Sequence, residues 1–184
     1  IDAEYYASII LDRSAKKSLA MLSTMGGMNV EEIADKDPDA LQRRHIDPAD
    51  GLTGELASEL AEAAGVGEDV RGKTAEMLGR LYTAFNELDA TLIEVNPLVV
   101  TSDRDVVALD SKTTIDNSAL YRHEDIAEFE DLSAMDPQER MAKEKGLTYV
   151  KLDGDIGILA NGAGLCMSTL DVVAQAGGDP ANFL

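Results

Sequence analysis

The sequence predicts an α/β fold, and three observations carry that expectation. Runs alternating apolar and polar residues, enriched in Ile, Val and Tyr, are interleaved with runs whose apolar residues recur every three or four places. At 45% apolar and 28% charged residues, the 184-residue chain has a globular composition. Near its end the pattern changes to a short apolar run, a glycine-containing turn and an amphipathic helix, the opening of a βαβ unit.

Taken in order, "EYYASIILDRSAKKSLAMLST" reads as a hairpin about a polar turn at residues 13–17. "MGG" is a loop. "NVEEIADKDP" is expected to be a short helix capped by Asn29, with Pro38 beyond its end. "LQRRHI" suits a short edge strand. "TGELASELAEAAG" reads as a helix capped by Thr53 and closed by Gly65. "GEDVRGKTAEMLGRLYTAFNEL" is a longer helix with Val70, Ala75, Leu78, Leu81 and Phe85 on one face. "ATLIEVNPLVVTSDRDVVALDSK" is a second hairpin, turning at residues 102–104. The segment from residue 122 to 146 is charge-rich and reads as a linker with a helix after Asp136. "GDIGILANGAGLCMSTLDVVAQAGG" then supplies a strand, a turn and a helix stopped by Gly177 and Gly178. These patterns put a domain boundary near residues 125–145, drawn between 135 and 136.

Charge narrows the function. The net charge is −19, from 16 basic and 35 acidic residues. Such a surface repels phosphate backbones, so no nucleic-acid partner is expected, and it favours solubility. No apolar run approaches the roughly 20 residues of a membrane span, so no membrane partner is expected either. The lone Cys166 excludes an internal disulfide and fits a reducing compartment. The chain opens on Ile1 inside an alternating run and stops at "ANFL" just as an apolar run begins, the pattern of a fragment cut inside structure at both ends.

The second hairpin carries the chemistry. With a loop at residues 102–104, paired positions sum to 206. Asn96 then lies opposite Asp110 and Glu94 opposite Lys112, all on one face. Directly opposed residues have Cβ atoms about 5 Å apart. An amide oxygen and a carboxylate that close form a hard, anionic pair suited to Mg²⁺, which keeps several waters and takes few protein oxygens beside substrate phosphates. A two-residue loop, or a bulge at Pro97, would shift the register and separate Asn96 from Asp110. The plain structural alternative is a kink at Asn96-Pro97, a surface charge at Asp110 and a cross-strand ion pair between Glu94 and Lys112.

"LIEVNPLVVT", "VVALDSK" and "DNSALYRH" resemble the β subunit of succinate–CoA ligase, an ATP-grasp enzyme. "LDGDIGILANGAGLCMSTLDVV" and "GGDPANFL" resemble the opening of that family's second domain. The resemblance runs along the whole chain. It implies the C-terminal portion of an ATP-grasp domain over residues 1–135, and the opening βα unit of a flavodoxin-like CoA-ligase domain over residues 136–184. It implies Asn96 and Asp110 as ligands of a nucleotide Mg²⁺. Glu94 would position a phosphohistidine of the partner α subunit, Glu4 of "EYY" would touch the nucleotide, and Asn161 of "NGAG" would contact the succinate or phosphate end of the reaction. The implied cofactors are Mg²⁺ and ATP/ADP, with GTP/GDP open. The implied partners are the α subunit, succinate, CoA and phosphate, in the cytoplasm or a mitochondrial matrix. A fragment of this kind is expected to be inactive alone. Two departures stand out: Ser111 where the family often has Gly, and Met25 where Glu is common. The related malate–CoA ligase β subunit shares the motifs, and a non-catalytic acidic module binding Ca²⁺ or a protein is an alternative of a different class.

The remaining candidates have plainer readings. "NGAG" lacks the third glycine of a dinucleotide fingerprint, since Met167 stands there. It offers a helix N-terminus as an anion site, or a tight turn with Asn161 bonding its own backbone. His45 reads as an exposed strand residue, His123 as a loop residue and Cys166 as core.

Overall fold

The structure is a computed structural model describing residues 1–30, 32–33, 37–129 and 135–184. It divides into two compact units, residues 1–125 and 126–184. The division falls within the stretch from 125 to 145 where the boundary is expected, ten residues before the line drawn between 135 and 136.

The first unit is built on a six-stranded antiparallel sheet. Its strands are β1 (Ala3–Asp12), β2 (Lys17–Ser23), β3 (Gln42–Ile46), β4 (Ala90–Val100), β5 (Val106–Ala108) and β6 (Ser111–Ile115). The order is β3-β2-β1-β4-β5, with β6 also on β4. The β1–β2 hairpin closes at Asp12 and Lys17, as the alternating pattern predicts, and "QRRHI" is an edge strand. Two helices follow β3: α1 (Gly54–Ala63) and α2 (Glu68–Glu87). The Thr53 hydroxyl accepts from the Leu56 N–H at 3.2 Å, satisfying one of the donors a helix start leaves free. Gly65 closes α1 with φ 79°, which a side chain would resist. Of the helix expected after Asn29, Val30, Glu32 and Ile33 are helical, while residues 31 and 34–36 lie outside the described residues.

Both faces of the sheet are used, differently. Tyr5, Ala7, Ile9, Ala20, Leu22, Ile93, Val95, Leu98 and Val100 meet Leu60, Val70, Leu78 and Phe85 of the helices in the main core. On the other face Tyr6, Leu19 and Met21 form a smaller cluster with Ile33 and Leu41. Beyond that cluster this face turns polar, and the candidate site lies there.

In the second unit, α4 (Pro137–Glu144) starts at Asp136, whose carboxylate accepts from the Gln138 N–H at 2.8 Å. It follows the short α3 (Glu124–Ala127), which straddles the division between units. Strands β7 (Val150–Lys151) and β8 (Asn182–Phe183) pair, and α5 spans Ala163–Gln175. The expected strand at "GDIGILA" is not a regular strand. It is extended backbone with one parallel bridge, Ile156 to Pro180, and further hydrogen bonds to residues 179–184. A ladder needs a neighbour along its length, and an apolar run does not supply one. Buried Asn182 clamps this segment, accepting from the Ile158 N–H at 3.0 Å and donating to the Ile158 carbonyl at 2.8 Å. Cys166 is 1% exposed, as a core residue should be.

Candidate functional site

The hairpin register decides the geometry, and it sums to 206. Val100 pairs with Val106, Leu98 with Ala108, Val95 with Ser111 and Glu94 with Lys112. Between these ladders the Asn96 N–H donates to the Asp110 carbonyl at 3.3 Å, and the Leu109 N–H to the Pro97 carbonyl at 3.2 Å. Asn96 and Asp110 therefore stand opposite each other.

A bulge does occur at Pro97, but on the other side of β4. Against β1 the pairs run Tyr5–Leu98 and then Ala7–Val95, so Asn96 and Pro97 together oppose Tyr6. Proline lacks the N–H that a ladder needs, which makes this the natural place for an irregularity. The Asn96–Pro97 peptide is cis. The bulge reverses the parity of β4. Ile93 and Val95 face the helices before it, and Leu98 and Val100 after it, so Glu94 and Asn96 share the opposite face.

Each side chain there is held differently. Glu94 Oε2 accepts from the Tyr6 hydroxyl at 2.9 Å. No ion pair joins it to Lys112 among the described residues, so the register is as expected but the cross-strand pair is not formed. Asn96 is fixed at both ends of its amide: Oδ1 accepts from the Gly27 N–H at 2.8 Å, and Nδ2 donates to the Met28 carbonyl at 2.8 Å. The "MGG" loop makes this possible. The Gly26 N–H donates to the Glu4 carbonyl at 2.9 Å, and a Cβ on Gly26 would collide with the Tyr5 carbonyl. Gly27 has φ 72° and lies against the Glu4 carboxylate, where a Cβ would collide as well. Glu4, Gly27 and Asn96 are thus brought to one place. Asp110 is exposed, and its carboxylate has no partner among the described residues.

As a donor set, this fits a hard divalent cation. The Asn96 amide oxygen has a second lone pair beyond the one Gly27 uses, and Asp110 supplies a free carboxylate. No cluster of three or more His, Cys, Asp or Glu able to hold a metal occurs among the described residues. An amide oxygen and a carboxylate are the hard donors that Mg²⁺ takes, one or two from protein with water and phosphate for the rest.

Asn161 belongs to the second unit. It is exposed, in the turn entering α5, where Gly162 caps the helix with φ 95° and, among the described residues, no side chain bonds the first N–H groups. Asn161 makes no backbone bond there among the described residues, and the helix start stays open to an anion.

Sequence reasoning missed the histidines' partners. His45 Nε2 lies 2.8 Å from Asp12 Oδ2. His123 Nε2 lies 2.7 Å from Asp89 Oδ2, and Arg122 grips the same carboxylate at 2.5 and 2.6 Å. Donation from Arg122 first, and then from His123, holds the Asp89 carboxyl below the usual carboxylate range. It also missed Tyr6, whose signal lay in the alternation: Tyr6 is on the face opposite Tyr5 and Ala7.

Residues 1–100 match the family described as ATP-grasp domain, and the chain belongs to that family. Over its whole length it is 54% identical to the succinate–CoA ligase [ADP-forming] β subunit of Rubrobacter xylanophilus, of which it covers 48%. It is 47% identical to the protein of the same description in Bacillus subtilis, over all of this chain and 48% of that protein. For Natronomonas pharaonis the identity is 50%, over 98% of this chain and 48% of that protein. The chain thus spans about half the length of the curated relatives it matches. Its fold is similar to that of ATP citrate lyase from Methanothrix soehngenii, solved with citrate and coenzyme A, with TM-score 0.73 at 18% identity over 99% of this chain and 44% of that one.

Proposed function

We propose that this chain is part of the β subunit of a succinate–CoA ligase, which reversibly converts succinate, CoA and ATP to succinyl-CoA, ADP and phosphate together with an α subunit. The observation that carries this reading is the 54% identity along the whole chain to a β subunit of that description. The hairpin register supports it, since Asn96 and Asp110 oppose each other as two nucleotide-metal ligands would. Residues 1–135 are read as the ATP-grasp portion and residues 136–184 as the opening βα unit of a flavodoxin-like CoA-ligase domain. The parallel bridge between Ile156 and Pro180 around α5 supports the second assignment.

In this reading Asn96 and Asp110 would hold Mg²⁺, which would offset the charge that develops on the phosphate during transfer. Gly27 keeps the Asn96 oxygen turned the right way. Glu4 meets the nucleotide beside the glycine loop. Glu94 accepts a hydrogen bond from the imidazole of the α-subunit histidine that carries the phosphoryl group, fixing the ring's orientation. Succinate is activated as succinyl phosphate, and CoA displaces the phosphate. The exposed start of α5 with Asn161 binds the anionic end of that substrate.

The test is a coupled assay of the intact β subunit with its α subunit, comparing succinate with malate and ADP with GDP. Succinyl-CoA formation dependent on both subunits is expected. Its absence overturns the reading, and a preference for malate moves it to the related ligase.

A further inference from the structure

Tyr6 belongs to none of the roles assigned above, yet it is the residue that grips Glu94. Its ring is 1% exposed, lodged in the cluster with Leu19, Met21, Ile33 and Leu41, so its direction is fixed by packing. Its hydroxyl emerges at the edge of that cluster and donates to Glu94 Oε2 at 2.9 Å, across 88 residues of sequence. Oε1 has no partner among the described residues. A free glutamate samples several rotamers, and a donor on a packed ring removes most of them. The bulge at Asn96 and Pro97 lies directly opposite Tyr6. Ser8, next along the same face, pairs with Glu94 in register and is fully buried, so the carboxylate is flanked by buried hydroxyl-bearing residues on an otherwise apolar strand.

We infer that Tyr6 is the positioning residue for Glu94: it holds Oε2 so that Oε1 faces the incoming imidazole. The inference rests on the ligase reading above. It predicts a loss in phosphoryl transfer without a loss in nucleotide binding. The experiment follows phosphorylation of the α subunit from radiolabelled ATP in the intact complex, alongside Mn²⁺–ADP binding by electron paramagnetic resonance. Tyr6→Phe should slow labelling roughly tenfold, the scale of a hydrogen bond to a charged group, with Mn²⁺–ADP affinity changed by less than about twofold. Tyr5→Phe removes a hydroxyl one residue away on the helix-facing side and should leave labelling unchanged. In a Glu94→Gln background Tyr6→Phe should add little, because its effect runs through Glu94. If the wild-type complex leaves the α subunit unlabelled, the ligase reading falls and this role falls with it. If the wild type labels and Tyr6→Phe labels as fast, only the positioning role falls. Equal losses in labelling and Mn²⁺–ADP binding, or full additivity with Glu94→Gln, also overturn it.

Discussion

Asn96 and Asp110 meet through their backbones: the Asn96 N–H donates to the Asp110 carbonyl at 3.3 Å, in the gap between two ladders of the same register. Their side chains are unequal. Asn96 is held at both ends of its amide, whereas Asp110 is exposed and its carboxylate has no partner among the described residues. The charge of the pair therefore resides on the less constrained member.

That inequality makes Asp110→Asn informative. It removes the only charge among the two proposed ligands while conserving shape. The Mg²⁺ concentration for half-maximal activity of the intact complex should rise at least about tenfold, and Mn²⁺–ADP binding should weaken in parallel. An unchanged metal dependence would sink the assignment.

Gly27→Ala probes the other ligand through its support. At φ 72° an added Cβ is strained and collides with the Glu4 carboxylate. The exposed Glu4 side chain can swing aside, but the strain at a positive φ remains and works against the loop conformation that presents the Gly27 N–H to Asn96. A stability loss of about 1–2 kcal/mol is expected in urea unfolding, with weaker Mn²⁺–ADP binding. Normal stability with normal binding would show that the loop does not orient the amide.

Asp89 sets part of the acid response. Its carboxyl titrates below the ordinary value near 3.8 because Arg122 and His123 donate to it. The unfolded chain thus binds the proton more readily. The stabilisation is fully present above the unfolded value and is lost as pH falls through the folded one. Asp89→Asn should flatten the fall in melting temperature below about pH 4. A wild-type slope in the variant would show that the Arg122–His123 grip contributes nothing.

Ser8 tests the buried polar strip by stability alone. Its hydroxyl is fully buried with no hydrogen-bond partner among the described residues. Replacing it with Ala removes an unsatisfied group at small cost in volume. Ser8→Ala should be neutral or raise the unfolding midpoint, within about 1 kcal/mol. A large loss would reveal a partner for that hydroxyl.

The local features were legible in the sequence for physical reasons. Thr53 and Asp136 cap helices through bonds spanning two or three residues, so their signals sit beside them. The register followed from period two and the turn at residues 102–104, where Arg104 adopts φ 60°. Long-range partners were not legible. Asp12 and Asp89 are 33 and 34 residues from the histidines they hold, and nothing in the spacing announces them. The hold on Asn96 comes from a loop 68 and 69 residues upstream. The run "GDIGILA" had the composition of a strand, but pairing depends on neighbours that composition does not specify.

The bulge opposite Tyr6 has a consequence for how this strand can vary. Upstream of it, even-numbered positions of β4 face the polar side; downstream, odd-numbered ones do. Deleting Pro97 alone would restore a regular ladder with β1 and leave Ile93, Val95, Leu98 and Val100 on one face, yet it would put β4 one residue out of step with β5 and β6, whose pairs on both sides of Pro97 sum to 206. Point substitutions can be absorbed one at a time, but a change of length here cannot. Insertions and deletions in this protein should therefore collect in its turns and be absent between Glu94 and Leu98.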